Sequence, residues 1–181
     1  EIITKKRQEI LDILTKSQVD IYNPRSQTGS LRYLIIRGFE ETNEVQVTFV
    51  MTNPDKKLID ILKRLDVTSA NYSINKDSKA IEIFGDTVIN VAGKKKIAGL
   101  LGNLKFEISP TAFFQLNSKQ TLVLYDEIKK AARLTGNENV LDAYCGIGSI
   151  GMMLADNAKE VRGIDTNREA IEDANRFNTT N

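Results

Sequence analysis

Apolar residues in this chain fall into two rhythms, and the change between them sketches the fold. Over residues 1–18, Ile2, Ile3, Ile10, Leu11, Ile13 and Leu14 recur among charges at near-helical spacing, which predicts a helix. Tyr22-Asn-Pro-Arg-Ser-Gln-Thr-Gly29 reads as a loop from its turn residues. Leu31–Phe39 and Val45–Thr52 are rich in Ile, Val, Tyr and Phe and predict strands, with polar Glu40–Glu44 as the hairpin link. Pro54-Asp-Lys-Lys opens a helix to about Leu65. Ala70–Asn75 and Ala80–Phe84 are expected as short strands, followed by Val88–Val91 and Leu104–Ile108 on either side of a turn region, Gly93–Gly102. Strands dominate up to about residue 110, which points to an α+β domain over 1–110.

After residue 110 the rhythm becomes βαβ. Ser109–Asn117 forms a junction. A helix from Ser118 to Leu134 is expected, with Leu122, Val123, Tyr125, Ile128, Ala131 and Ala132 on its apolar side and Gly136 as its cap. Strand 139–144, a helix from Ile150 to Ala158, strand 160–165 and a last helix from Arg168 complete the chain, which stops at Asn181.

The stretch Val140-Leu-Asp-Ala-Tyr-Cys-Gly-Ile-Gly-Ser-Ile-Gly151 carries the chemistry. Gly146, Gly148 and Gly151 fit G-x-G-x-x-G, the turn that lets a ligand approach backbone at a helix N-terminus. Asp142 ends the first strand and Asp165 the second. A carboxylate at Asp142 would repel a dinucleotide pyrophosphate but attract an ammonium or sulfonium group, and S-adenosyl-L-methionine offers both without phosphate. Asp165 can accept two ribose hydroxyls. A nicotinamide or flavin site, or a turn used only for packing, are the alternatives.

Composition narrows the chemistry. The chain has 181 residues, no His and one Cys, so histidine acid–base catalysis, histidine metal sites and internal disulfides are excluded, and no metal site is expected. Lys+Arg 25 against Asp+Glu 24 neither demands nor forbids nucleic acid, so only local patches bear on it. No apolar run is long enough to span a membrane, so no membrane partner and a cytoplasmic location are expected. Cys145, inside the glycine turn with no histidine to pair with, is read as a small packing residue. Arg25, Arg32, Arg37 and the run Lys94-Lys95-Lys96 are candidate RNA contacts, though Arg32 and Arg37 face opposite sides of a strand unless a bulge intervenes. Lys5-Lys6-Arg7 reads as a wet helix face, and Phe113 with Phe114 as anchors of the junction in a core.

The strings VLDAYCGIGSIGMMLA and EVRGIDTNREAIEDANRFN resemble the first two motifs of the bacterial RNA (23S rRNA and tRNA) uracil-5-methyltransferase family. ISPTAFFQLNSKQT resembles that family's link between central and catalytic domains, and LRYLIIR its first central strand. The pairing of FFQLN with DAYCGIG is the most specific part. The resemblance implies an α/β chain: an α+β central, RNA-facing domain (1–110), then the truncated start of a Rossmann-like class I methyltransferase domain (111–181). It implies S-adenosyl-L-methionine as cofactor, with Gln115, Tyr144 and Asp165 as contacts beside Asp142, Gly146 and Gly148, and Ser149 at a position where the family often has a polar residue facing the cofactor. Other class I methyltransferases place glycine where this chain has Tyr144. The implied activity is methylation of uridine C5, in 23S ribosomal RNA first and transfer RNA second. The family's nucleophilic cysteine and general base lie far past its second motif. By the resemblance both are expected beyond Asn181, so no catalytic residue is assigned within the chain, and the chain alone is expected not to transfer a methyl group. The family's N-terminal RNA-binding barrel and four-cysteine iron–sulfur site are not visible here. A non-catalytic RNA-binding module is the alternative from another class.

Overall fold

The computed structural model of the chain describes residues 1–77, 79, 81–115 and 117–177. The backbone forms two compact units, one over Glu1–Gly99 and one from Leu100 onward.

In the first unit, helix α1 (Ile2–Lys16) leads into β1 (Leu31–Phe39), β2 (Glu44–Met51), α2 (Lys56–Arg64), β3 (Ser69–Ile74) and β4 (Val88–Gly93). The four strands lie in the order β1-β2-β3-β4. β1 and β2 are the expected antiparallel hairpin; β2 and β3 run parallel, joined through α2; β3 and β4 are antiparallel. Asp55 caps α2 as its Pro-Asp opening predicts, its side chain accepting from the Leu58 amide at 3.2 Å.

Strand alternation separates two kinds of face. Val45, Val47, Phe49 and Met51 of β2 join Ile10 and Leu14 of α1, and Leu58 and Leu62 of α2, in one apolar cluster. The intervening β2 residues Gln46 and Thr48 lie beside Ser69 and Asn71 of β3, and all four are buried. Most buried polar groups find a hydrogen-bond partner, and Gln46 Oε1 is an exception among the described residues. Here the Asn71 amide donates to Ser69 Oγ at 3.0 Å, and the Asn90 amide donates to Asn71 Oδ1 at 3.0 Å.

Three expectations change in this region. Residues 81–84 are bends, not a strand, and Ala80 lies outside the described residues. The physical reason is Asn75: its amide donates to the carbonyls of Glu82 and Ile83 at 2.9 and 3.1 Å, groups that a strand would offer to a ladder. The Gly93–Gly102 region is not all turn, since it contains β5 (Ile97–Leu101), which pairs with β6 (Leu104–Ile108). The sequence disguises β5 because an inward position is Gly99, where the Phe39 ring fills the space of a side chain: a Cβ there would sit 2.6 Å from the ring. Finally, Lys94 does not head a free basic loop; its ammonium pairs with Glu44 at 2.5 Å.

The second unit continues with α3 (Ser118–Ala132), β7 (Asn139–Ala143), α4 (Ser149–Ala155), β8 (Glu160–Ile164) and α5 (Arg168–Phe177). β7 and β8 pair in parallel, with Asp142 opposite Gly163 and Ala143 opposite Ile164. α4 stops at Ala155, three residues short of expectation, in a turn where Asn157 N–H donates to Leu154 O. α3 ends on Arg133 in the left-handed region (φ 49°), not on Gly136. Its buried side is Thr121 and Tyr125, whereas Val123, Ala131 and Ala132 are exposed. Phe113 is 71% exposed and anchors nothing; Phe114 alone packs inward, its ring 5.8 Å from that of Phe106. The last helix runs to Phe177 as described, and Asn181, past which the catalytic cysteine and base are expected, lies outside the described residues.

Candidate functional site

Residues 142–151 form the candidate site. β7 ends at Ala143, and the next residue, Tyr144, turns the chain with φ 62°. A non-glycine residue there costs roughly 1–2 kcal/mol. That conformation explains why a glycine suits this position elsewhere, and it leaves the Tyr144 ring 89% exposed beyond the strand tip. Cys145 N–H then donates to Ile164 O at 3.0 Å, carrying the β7–β8 pairing one step further. Gly146 and Gly148 both take positive φ, 56° and 77°, as the motif requires, and Gly148 is the N-cap of α4.

The two acids each hold one part of this turn. Asp142 Oδ2 accepts from the Gly151 amide at 2.9 Å, tying the strand tip to the first turn of α4. Burial pushes the Asp142 carboxyl above its ordinary value. Asp165 Oδ2 accepts from Gly146 N–H at 2.8 Å and Oδ1 from Asn167 N–H at 2.8 Å. These backbone amides, Asn167 first, hold the Asp165 carboxyl below the usual carboxylate range. A carboxylate can accept about four hydrogen bonds, so both acids keep acceptor sites for a ligand.

The glycines are needed for closeness. A Cβ on Gly151 would lie 3.1 Å from Asp142 Oδ2 and 3.0 Å from Val161 Cγ1. A cleft of about 130 Å³ lies beside the turn, lined by Asp142, Cys145, Gly148, Gly151, Met152 and Asn175 among others. Cavities that enclose a whole ligand run to ~300–1,000 Å³, so the cleft alone takes only a fragment of one.

The predicted residues are therefore only partly gathered. Asp142, Gly146, Gly148 and Asp165 converge on the turn. Ser149 joins them at the start of α4, its hydroxyl 2.7 Å from Tyr125 OH. Gln115 is exposed ahead of α3 and does not line the cleft. Tyr125 is the residue sequence reasoning passed over: it appeared only as one apolar position of α3, and nothing in that stripe marks which ring will reach Ser149. Met152 and Asn175 of the cleft were likewise hidden inside helices.

Cys145 is built for packing. Its sulfur sits so near Gly163 that a Cβ there would be 2.8 Å away. Burial, then the charges of Asp142 and Asp165, push its thiol above its ordinary value. A thiol is nucleophilic only as thiolate. Iodoacetamide labelling of the folded chain is therefore expected to be slow at neutral pH, and Cys145→Ala to leave ligand binding intact. Fast labelling at pH 7 would contradict this.

Among the first unit's candidates, Arg32 is committed elsewhere. Its Nη1 donates to the carbonyls of Asn75 and Asp77 at 2.9 and 2.8 Å, and its guanidinium lies 5.2 and 5.5 Å from the rings of Tyr22 and Tyr33. A register shift between Leu31 and Tyr33 places it at a bulge.

No protein-family model matches the chain. It is 47% identical over 168 residues to an uncharacterized RNA methyltransferase of Bacillus cereus, covering 90% of this chain and 36% of that one. It is 46% identical over 178 residues to an uncharacterized RNA methyltransferase of Halalkalibacterium halodurans, covering 94% and 38%. Among solved structures it is similar to the Pyrococcus abyssi tRNA (uracil-54, C5)-methyltransferase in complex with S-adenosyl-L-homocysteine. The TM-score is 0.75 at 30% identity, over 96% of this chain and 42% of that one. A tRNA methyltransferase of M. jannaschii, at 16% identity and TM-score 0.51, shares the fold alone. The chain thus spans less than half the length of these relatives. Over nine-tenths or more of its own length, in sequence and in fold, it is similar to RNA methyltransferases, and its second unit opens as their class I, Rossmann-like domain does.

Proposed function

We propose that this chain supplies the cofactor turn and the RNA-facing domain of an S-adenosyl-L-methionine-dependent RNA methyltransferase acting on uracil C5. The observation that carries the proposal is the pair of carboxylates at the tips of β7 and β8, each tied by a backbone amide to the glycine turn and each with acceptor sites left over. Residues 111–181 would hold the cofactor across the ends of these strands, and residues 1–110 would face the RNA.

The residues present fit the cofactor. Asp165 stays ionised and suits the two ribose hydroxyls. Half-buried Asp142 favours a positively charged neighbour, because a cation offsets the cost of its burial. The exposed Tyr144 ring beyond the tip of β7 and the Ser149 hydroxyl at the start of α4 are proposed as further contacts, and Gln115 is proposed to join from the segment ahead of α3. When bound, S-adenosyl-L-methionine supplies the methyl group. Uracil C5 is a poor nucleophile, and the covalent route by which a cysteine first adds to C6 needs a thiol other than Cys145. That thiol and its partner base are proposed to belong to polypeptide following Asn181 in the whole enzyme.

Uracil C5 is supported by the P. abyssi relative, which is named for that position in tRNA. Likeness to the bacterial members of the family favours 23S ribosomal RNA as the substrate, with tRNA as the second reading. A bacterial enzyme that modifies either RNA would work in the cytoplasm.

Calorimetry of the full chain against S-adenosyl-L-homocysteine and against NAD tests the cofactor. Heat with the first and none with the second is expected. Binding of NAD alone would replace the proposal with a nucleotide-dependent oxidoreductase.

A further inference from the structure

We propose that the groove between the end of α1 and the outer side of α2 is a contact site for the phosphate backbone of RNA. The inference rests on the RNA reading above but concerns residues that neither the motifs nor the glycine turn touch. α2 carries Lys56, Lys57, Lys63 and Arg64 against one acid within the helix, Asp60. Lys56, Lys57 and Arg64 line a groove of about 550 Å³ together with Ser17, Asp60 and Ile61.

Two ordinary explanations leave these cations, taken together, unaccounted for. The first is pairing within the helix. Lys56, Lys57 and Arg64 all stand three or four residues from Asp60, the spacing at which Lys6 pairs with Glu9 and Arg168 with Glu172. Yet among the described residues none of the α2 cations forms an ion pair, and the Lys57 ammonium reaches instead to the Gln18 carbonyl at 3.2 Å, across the groove. The second is the helix dipole. Lys56 and Lys57 occupy the first turn, where the positive end of the helix disfavours a cation. Lys63 and Arg64 sit in the last turn, where the dipole favours a cation, but it gives Lys56 and Lys57 no support, and the carboxylate beside them, Asp55, already accepts from the Leu58 amide.

The length of the groove selects the anion. Lys57 and Arg64 stand seven residues apart on one helix, about 10 Å along its axis. That separation exceeds a single phosphate and suits more than one phosphate along a strand. Charged contacts of this kind position RNA without reading its sequence.

Fluorescence anisotropy of a short, labelled uridine-rich RNA with the full chain, repeated across salt concentrations, tests the site. The combined Lys56→Gln, Lys57→Gln and Arg64→Gln variant is expected to bind about tenfold or more weakly at low salt, with the slope of log K against log salt reduced by about 2. Asp60→Asn is expected to bind more tightly than the unaltered chain, which guards against a combined variant that merely misfolds. If the unaltered chain binds RNA and neither variant changes that binding, the groove assignment is overturned while the RNA reading stands. If the unaltered chain binds no RNA, both fall.

Discussion

Replacing Asp165 with alanine is expected to weaken S-adenosyl-L-homocysteine binding on the order of a hundredfold, because the two charge-assisted hydrogen bonds proposed for the ribose would be lost together. The loss has a second source. Asp165 Oδ2 holds the Gly146 amide, so the variant also releases the first glycine of the turn. Asp165→Asn separates the two effects, since its amide oxygen can still accept from one partner. The pH profile follows from the two shifts. A lowered carboxyl gives its contribution above the ordinary carboxylate range and loses it only as pH falls through the lowered value, so Asp165 remains effective on mild acidification. Asp142 is raised and protonates first. Affinity is therefore expected to start falling above the ordinary carboxylate range, and Asp142→Asn to flatten that limb. Isothermal calorimetry from neutral to acid pH measures both; an Asp165→Ala variant that binds like the unaltered chain would end the cofactor assignment.

What the sequence reveals about this site is what local chemistry dictates. Positive φ at Gly146 and Gly148 needs glycine, and acids at strand tips follow from where β7 and β8 stop, so the βαβ unit could be read residue by residue. Contacts between residues far apart in the chain were not legible. Arg32 looks like a phosphate fork until the carbonyls of Asn75 and Asp77 arrive from more than forty positions away. β5 hides behind Gly99 because the missing side chain is replaced by Phe39, sixty residues earlier. Phe113 and Phe114 have identical side chains and adjacent positions, and only the location of Phe106 decides which ring turns in. The α2 groove was missed for the opposite reason. Its cations sit within ordinary helical spacing of Asp60, so the sequence suggests ion pairs that the structure does not form.

Phe106→Ala is expected to destabilise the second unit by about 3–5 kcal/mol. Phe106 lies in β6, is 1% exposed, and meets two rings: Phe114 at 5.8 Å and Phe177 at 5.4 Å, the latter nearly edge-on at 68°. Aromatic pairs of this geometry contribute beyond the area they bury. Its neighbours extend the same junction with polar contacts: Ser109 Oγ donates to the fully buried Asp173 at 2.9 Å, and Arg176 pairs with Glu107 at 3.2 Å. Together they hold α5 on β6. The consequence reaches the cofactor turn, because α5 begins just after Asp165, where Asn167 caps the helix by accepting from the Ala170 amide at 3.1 Å and gives its own amide to Asp165. A loosened α5 therefore frees one of the amides that hold Asp165 ionised, the first among them. Urea denaturation should show the stability loss, and calorimetry of the still-folded variant a weaker affinity for S-adenosyl-L-homocysteine. Phe106→Leu, which refills most of the volume, should recover the larger part of both. A Phe106→Ala variant that loses less than about 1 kcal/mol would mean that α5 is held by something other than this ring cluster.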